Sequence, residues 1–356
     1  MRRYFDTEEN LLSASQRLAQ AVYPEAEVAL MGYLKWMYLD NPDGHAILHA
    51  DSDEEGLAAQ FVLMPRSFIV SGGQERGAFS VNTITRSDRR GEGLFKKLAT
   101  EADIEAKRSA VSFTVGFPNR DSIGGFTGTL GYRTIGTLPF LVKPLHWSPI
   151  VSGLIRRSKV RKGGDTSFSL SVASVFRGDK WVVSVCDVSD ERLTDLLDIV
   201  NAKRVLAGIR TSEYLKWRYL DCPTRRYTIL SVTDAEEREF RAYAVVRGLE
   251  LLGWKCGAVV DLGCRSNDES IDALRFLLHV AMQKFQQESY ALSIAACNTD
   301  NDEFEALRRA GFLAVPRFLL PQPLHFILKT DSSNVHSSLM QDFRKWFLTF
   351  GDYDVV

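Results

Sequence analysis

Several absences bound what this chain can be. It has no surplus of one charge: 44 Lys and Arg stand against 45 Asp and Glu, a net charge of −1. Without a basic excess it has little with which to neutralise a run of phosphates, which argues against nucleic acid as a main partner. No apolar run approaches the ~18 residues that a membrane-spanning helix needs. The opening Met-Arg-Arg-Tyr-Phe-Asp lacks the apolar centre of a signal peptide, so a cytoplasmic location is expected. No Cys-x-x-Cys occurs, and all five cysteines (Cys186, Cys222, Cys256, Cys264, Cys297) lie in the second half, reading as reduced thiols. The six histidines do not cluster with them, so no metal site is expected.

What is present is a duplication. Tyr33-Leu34-Lys35-Trp36-Met37-Tyr38-Leu39-Asp40-Asn41-Pro42 returns as Tyr214-Leu215-Lys216-Trp217-Arg218-Tyr219-Leu220-Asp221-Cys222-Pro223, identical at eight of ten positions and displaced by 181 residues. Leu130-Gly131-Tyr132 matches Ala310-Gly311-Phe312 at a displacement of 180, and Asn119 lies near Asn298 at 179. One spacing held over about 100 residues marks a tandem repeat of whole domains, in contrast to the short periods of solenoids. The 356 residues suffice for two such domains.

Each half carries the same order of elements. In the first, helices are expected at 7–22 and over the Tyr-Leu-Lys-Trp run. Strands follow at 45–50, 57–64, 66–71 and 78–85, the middle two parted only by Pro65. Then come a helix at 92–108, a strand at 111–117, a short helix at 121–130 and a last strand at 132–142. This order predicts an α/β fold, each half a mixed, mostly antiparallel sheet with flanking helices and a parallel pair around the 92–108 helix. The aromatic residues Tyr33 and Trp36, kept as Tyr214 and Trp217, read as packing.

The run Ser87-Asp88-Arg89-Arg90-Gly91-Glu92-Gly93-Leu94-Phe95 joins a strand to a helix start. Gly91 and Gly93 let an anion approach the main chain. The helix N-terminus adds partial positive charge, and Arg89 and Arg90 can add whole charges. No Gly-Lys-Ser/Thr follows, which excludes a Walker loop, and the Gly-x-Gly-x-x-Gly fingerprint of dinucleotide folds is missing.

Arg90-x-x-Gly93 at such a junction resembles the acyl-CoA pyrophosphate loop of the GNAT N-acyltransferases, usually Gln/Arg-x-x-Gly-x-Gly/Ala; Phe95 departs from it at the last position. The resemblance covers about 1–145 and, through the repeat, about 180–328. It implies two tandem GNAT-like domains and acetyl-CoA, or another acyl-CoA, as co-substrate. The cofactor contacts would be Thr85, Arg89, Arg90, Gly91, Glu92, Gly93, Leu94 and Phe95. It also implies a gap beside Gly116-Phe117-Pro118-Asn119 for the pantetheine arm, with Asn119 either hydrogen-bonded to it or simply capping a turn. Backbone amides near Thr83–Thr85 would meet the thioester carbonyl. Residues 79–85 offer no carboxylate as base, leaving Ser80, Asn82 or Thr83 to hold a water, so Asn82, Thr83 and Thr85 are the catalytic candidates. Thr127 stands where the family often has an acidic tyrosine, and Tyr132 reads as packing.

In the second copy Cys264-Arg-Ser-Asn-Asp-Glu replaces the glycine loop, and its acids would repel a pyrophosphate, so one acyl-CoA site per chain is expected, in the first half. The domains read as 1–146 with the site, a basic connector at 147–178, a degenerate copy at 179–328, and a tail at 329–356. The connector's Arg156-Arg-Ser-Lys-Val-Arg-Lys, after an apolar stretch, fits either a solvated link or peripheral contact with an anionic membrane or substrate. Asp352 and Asp354 fit either a frayed end or a fold over an active site. The Gly-Phe-Pro-Asn and Arg-Gly-x-Gly-Leu-Phe pattern, with the Gly351-Asp352-Tyr353-Asp354 ending, resembles GNAT-like proteins associated with surface polysaccharide synthesis. The expected acceptor is a small amine, such as an amino sugar or its nucleotide- or lipid-linked form. A non-catalytic acyl-CoA sensor or scaffold and a Fem-like aminoacyl transferase are the alternatives.

Overall fold

The computed structural model describes residues 8–146, 166, 168, 175–236 and 238–353. Residues 156–164 of the basic connector, and Asp354, lie outside them. The chain divides into two compact units that interleave. Met1–Thr137, Asp221–Thr224 and Leu324–Phe343 form unit 1; Leu138–Leu220, Arg225–Pro323 and Arg344–Val356 form unit 2.

Unit 1 opens with helices α1 (Glu8–Val22) and α2 (Met31–Tyr38). An antiparallel meander follows of β1 (Ile47–Asp53), β2 (Gly56–Val70) and β3 (Gly73–Thr85). Helix α3 (Leu94–Arg108) crosses to β4 (Phe113–Gly116), which pairs parallel to β3. Leu94, Leu98, Ala99, Ala102 and Ala106 recur at helical spacing, and α3 buries that stripe in a core with Phe61, Leu63 and Ala78. Helix α4 (Ile123–Thr129) and β5 (Arg133–Leu138) follow.

Pro65 does not divide a pair of strands as the sequence suggested. It pairs with Ala78 inside the single strand β2, and its carbonyl accepts from Asn41 Nδ2 at 2.9 Å. Pairing of β1 with β2 ends at Leu63, so the missing N–H of Pro65 removes no bond to β1. The expected strand at 132–142 is instead cut at Pro139 into β5 and β6 (Phe140–Pro144), and β6 belongs to unit 2.

In unit 2 come β7 (Val175–Arg177), β8 (Trp181–Val185), α5 (Glu191–Ala202), β9 (Leu206–Gly208), β10 (Thr228–Asp234), β11 (Phe240–Leu251) and β12 (Trp254–Cys264). Helix α6 (Asp268–Gln287), β13 (Leu292–Ala296), α7 (Asp302–Arg309) and β14 (Leu313–Ala314) continue it. The strand order is β14-β6-β13-β12-β11-β10-β8-β7. Next in the chain, β15 (Leu324–Thr330) pairs antiparallel with β4 in unit 1, and β16 (Trp346–Phe347) pairs parallel with β9 in unit 2. The copies thus exchange their closing strands: β6 completes the sheet of unit 2, and β15 that of unit 1. The compact units therefore depart from the spans 1–146 and 179–328, which follow the copies along the chain.

The repeat survives in detail. Gly77, Ala78 and Phe79 pair with Phe113, Thr114 and Val115; Gly257, Ala258 and Val259 pair with Ser293, Ile294 and Ala295, each member 180 residues on. The rings of Tyr33 and Trp36 sit 5.4 Å apart at 51°, and those of Tyr214 and Trp217 sit 5.6 Å apart at 52°. Equal geometry in both copies supports a packing role for these aromatics. Among the described residues no helix is long and apolar enough to cross a membrane, and no group of three His, Cys, Asp or Glu side chains could hold a metal.

Candidate active site

The loop between β3 and α3 is built around two left-handed residues, Gly91 (φ 87°) and Gly93 (φ 77°). Any other L-residue would cost ~1–2 kcal/mol in that conformation. A Cβ at either position would meet no atom within 4 Å, so the space above the turn is open. Gly93 is the N-cap of α3 and supplies no side-chain cap. Among the described residues no backbone carbonyl accepts from the amides of residues 90–96. These unbonded N–H groups at a helix start are the donors an anion would take.

The arginines flanking the turn have different duties. Arg89 grips Glu92 through paired bonds of 2.8 and 2.7 Å and also contacts Asp53. Asp53 in turn accepts from Arg86 at 2.7 Å, and Arg86 holds Asp88 at 2.8 Å. Bonding to Arg89 keeps the Glu92 carboxyl below its ordinary pKa, and bonding to Arg86 does the same for Asp53. Arg89 therefore shapes the loop. Arg90 is exposed and enters no ion pair among the described residues. Glu92 faces the same turn with its charge matched by Arg89.

Beside the loop the sheet opens. Pairing of β3 with β4 ends at Phe79 and Val115, although β3 runs on to Thr85. Within this free length β3 bulges: the register with β2 passes from Ile84–Gln60 to Val81–Val62, leaving Asn82 and Thr83 outside it, and Asn82 has φ 47°. Gln60 clamps the bulge, donating to the Asn82 carbonyl at 3.0 Å while accepting from Ser15 Oγ at 2.7 Å. Asn82 Nδ2 is directed at Met37 Sδ, 3.3 Å away. Asn82 thus shapes the strand and has its side chain engaged. The hydroxyls of Ser80 and Thr83 are buried without a hydrogen-bond partner among the described residues. Ser80 lies where the strands part, its carbonyl 3.4 Å from where a Cβ on Gly116 would stand. Buried orphan hydroxyls beside a bulge are donors awaiting an acceptor. Thr85, at the end of β3, is paired with Ala59.

Other expected residues fall into place nearby. Leu94 is buried in the core behind the turn. Phe95 packs on Phe61 and Phe126 (5.9 and 5.3 Å between centroids), and its ring is accommodated because Gly125 of α4 has no Cβ: one there would stand 2.9 Å from it. Asn119 Oδ1 accepts from the amides of Asp121 and Ser122 at 3.1 and 2.9 Å, so its oxygen caps the turn and only Nδ2 is left for a ligand. Thr127 is exposed and donates to the Ile123 carbonyl. Tyr132 is buried, its hydroxyl accepts from Thr114 at 2.9 Å, and burial pushes its pKa up. It packs edge-on against Phe126 in the core.

The second copy keeps a bulge, where the register of β12 with β11 passes from Val245–Asp261 to Val246–Val259, but it does not keep the open helix start. Asn267 caps α6, accepting from Ser270 N at 2.7 Å, and Asp268 and Glu269 fill the first turn. Pairing of β12 with β13 also ends at Val259 and Ala295. Here, however, the chain's own end enters. Cys297 bridges to Thr349, Leu348 N donates to Asn298 Oδ1 at 2.9 Å, and Thr349 Oγ1 donates to Asp261 Oδ1 at 3.0 Å. Asp352 accepts from Arg210 at 2.6 Å and from Thr349 N at 3.0 Å. Residues 346–353 are therefore buried in unit 2, and Asp352 is bonded there and not frayed. Sequence reasoning missed this insertion, as it missed Ser15, Gln60 and Asp53. The signal available for Gln60 was a lone amide in the run Ala58-Ala59-Gln60-Phe61-Val62-Leu63.

No protein-family model matches the chain, and no curated protein matches it. Solved structures do resemble it. A GCN5-related N-acetyltransferase from Anabaena variabilis has a TM-score of 0.61 at 12% identity, over 91% of this chain and 71% of that one. Saccharomyces cerevisiae N-myristoyltransferase with bound myristoyl-CoA has 0.57 at 13%, over 91% and 77%. At such identities the likeness speaks for architecture, and it agrees with the duplicated bulge-and-splay geometry: this chain has the fold of two tandem GNAT-like domains.

Proposed function

We propose that the chain is an acyl-CoA-dependent N-acyltransferase with one acyl-CoA site, in unit 1. The observation that carries this is the uncapped start of α3, with its left-handed glycines and unbonded amides, next to a sheet that parts beyond Phe79 and Val115. The amides from Gly91 to Phe95 take the diphosphate, and Arg90 adds its charge. The arm of the carrier runs between β3 and β4, within reach of Asn119 Nδ2. At the bulge, backbone amides near Thr83 polarise the thioester carbonyl, with the Ser80 and Thr83 hydroxyls as further donors. A neutral amine attacks the carbonyl carbon, its proton passes to water, and the departing thiolate is protonated from solvent. The acceptor we favour is an amino sugar, free or nucleotide- or lipid-linked, a choice supported by the chain's sequence resemblance to proteins of surface polysaccharide synthesis. Acetyl-CoA is the first donor to try, and the fold neighbour with bound myristoyl-CoA makes longer chains the next.

A second reading, an acyl-CoA-binding protein without turnover, is favoured by one observation: β3 has no carboxylate between Phe79 and Thr85, and Thr127 is engaged with Ile123. Thiol release from acetyl-, octanoyl- and myristoyl-CoA with a panel of amino sugars and simple amines separates the two. Amine-dependent release that disappears in Gly93→Val supports the transferase. Binding of acyl-CoA without release on any acceptor supports the sensor. Absence of binding removes both.

A further inference from the structure

One edge of the sheet in unit 2 is β14, a strand of two residues, and the chain around and beyond it exposes large apolar side chains. Leu313 of β14 is 66% exposed, and Phe318 and Leu319, in the short turn Arg317–Leu319, are 86% and 62% exposed. The fold does not demand this. At the displacement of 180 residues the first copy has Arg133 and Thr134, exposed and polar, where the second has Leu313 and Ala314. There β5 runs on for six residues, whereas β14 stops and the chain leaves the sheet. The turn is also prepared to leave water. Pro316, Pro321 and Pro323 have no amide N–H, and the amides of Val315, Leu319 and Leu320 donate to the carbonyls of Phe140, Pro316 and Arg317 at 2.9, 2.9 and 3.2 Å. Few backbone donors therefore lose hydration when the turn is covered. Charge adds a direction. From Ala306 to Pro323 the chain has Arg308, Arg309 and Arg317 and no Asp or Glu, in a molecule whose charges otherwise balance. Arg308 and Arg309 share Glu305 at 3.1 and 2.9 Å, but Arg317 is exposed and enters no ion pair among the described residues.

We propose that this turn docks on an anionic membrane surface, with Phe318 and Leu319 entering the interface and Arg317 meeting the headgroup phosphates. A phenylalanine-leucine tip with an adjoining arginine and no acid nearby in the chain matches the two attractions that hold a peripheral protein, apolar burial and charge. Prolines on both sides restrict the free turn, so docking orders it at little entropic cost. A second copy of the chain is the poorer occupant. The open side of β14 offers only Leu313 and Ala314 for strand pairing, too short an edge to hold a partner strand. The inference does not rest on the acyl-CoA reading.

Co-sedimentation of the full chain with vesicles tests it, using phosphatidylcholine alone and phosphatidylcholine mixed with phosphatidylglycerol. Binding to the mixed vesicles is expected, weakening as salt rises. It should fall at least about tenfold in Phe318→Ser with Leu319→Ser, and about fivefold in Arg317→Ser. All three side chains are exposed, so these variants should melt with the parent chain. Phe318→Trp gives a readout that needs no loss of binding: brominated lipid should quench its fluorescence beyond that of the parent chain's own tryptophans. No binding to either vesicle overturns the proposal, as does binding that survives the double exchange, which places the contact elsewhere in the chain. Absence of added quenching in Phe318→Trp overturns insertion of the tip. Equal binding with and without phosphatidylglycerol overturns the anionic surface. Self-association abolished by the double exchange, without vesicle binding, gives the turn to a second copy and overturns the membrane.

Discussion

The turns after β3 and after β12 began as the same piece of protein and now have opposite properties. In the first, a glycine caps α3 with nothing, and the helix start stays unsatisfied. In the second, Asn267 supplies the missing acceptor and acids take the first turn. The gaps beyond the parallel pairs diverge likewise: Ser80 and Thr83 keep idle hydroxyls, whereas Thr349 and Asp352 occupy the gap in unit 2 and bond its polar groups. A site for a ligand is thus recognisable as a place where the protein has not finished bonding itself. The second copy shows what finishing looks like.

The comparison can be broken at several points. The largest effect is expected from Asp352→Ala, which leaves Arg210 buried with a partner missing. Losing one member of a buried pair costs about 3–5 kcal/mol. Chemical denaturation should show that loss, while acyl-CoA affinity stays unchanged. Acid should act on the same unit. Burial opposes ionisation of Glu303, but the Arg204 and Lys203 charges outweigh it and hold its carboxyl at about 2, below the ordinary 4.5. The resulting stability is complete above pH 4.5 and is lost as pH falls from there towards 2; melting temperatures across that window read it. In Glu303→Gln the slope in that window should flatten.

Gly93→Val comes next. It should weaken acyl-CoA binding about a hundredfold by obstructing the turn, with a cost to folding of only ~1–2 kcal/mol. Arg90→Ala should weaken binding about tenfold and reduce its dependence on salt. An unchanged affinity in Arg90→Ala would assign the phosphate contact to the backbone alone. The smallest effect belongs to Asn267→Ala, about 1 kcal/mol of stability from a lost cap with no change in acyl-CoA binding. Acyl-CoA bound in unit 2 would contradict the whole contrast.

Much of this was legible from residue order because the physics is local. The helix of α3 follows from Leu94, Leu98, Ala102 and Ala106 at helical spacing, and the turn before it from glycines that only positive φ requires. The duplication was visible in the Tyr-Leu-Lys-Trp run, whose ring geometry repeats. What stayed hidden depends on partners far along the chain. Nothing next to Arg89 shows that Asp53 will claim it, and nothing next to Thr349 points to Asp261. Pro139 interrupts what was read as one strand over 132–142, and nothing local says that the residues beyond it complete another sheet. The amides near Thr83–Thr85 were expected to matter but the bulge at Asn82 was not foreseen, since Gln60 acts on Asn82 across strands.

The reciprocal use of β6 and β15 has a consequence for synthesis and for laboratory dissection. The strand that flanks β4 emerges from the ribosome only when residue 330 has been made, so β4, one side of the gap beyond Phe79 and Val115, lacks its second neighbour during most of translation. A fragment ended at the apparent midpoint would carry every residue proposed to contact acyl-CoA and still be missing part of its sheet, with β6 left over as an unpaired edge. Supplying the second half as a separate polypeptide should restore what cutting removes.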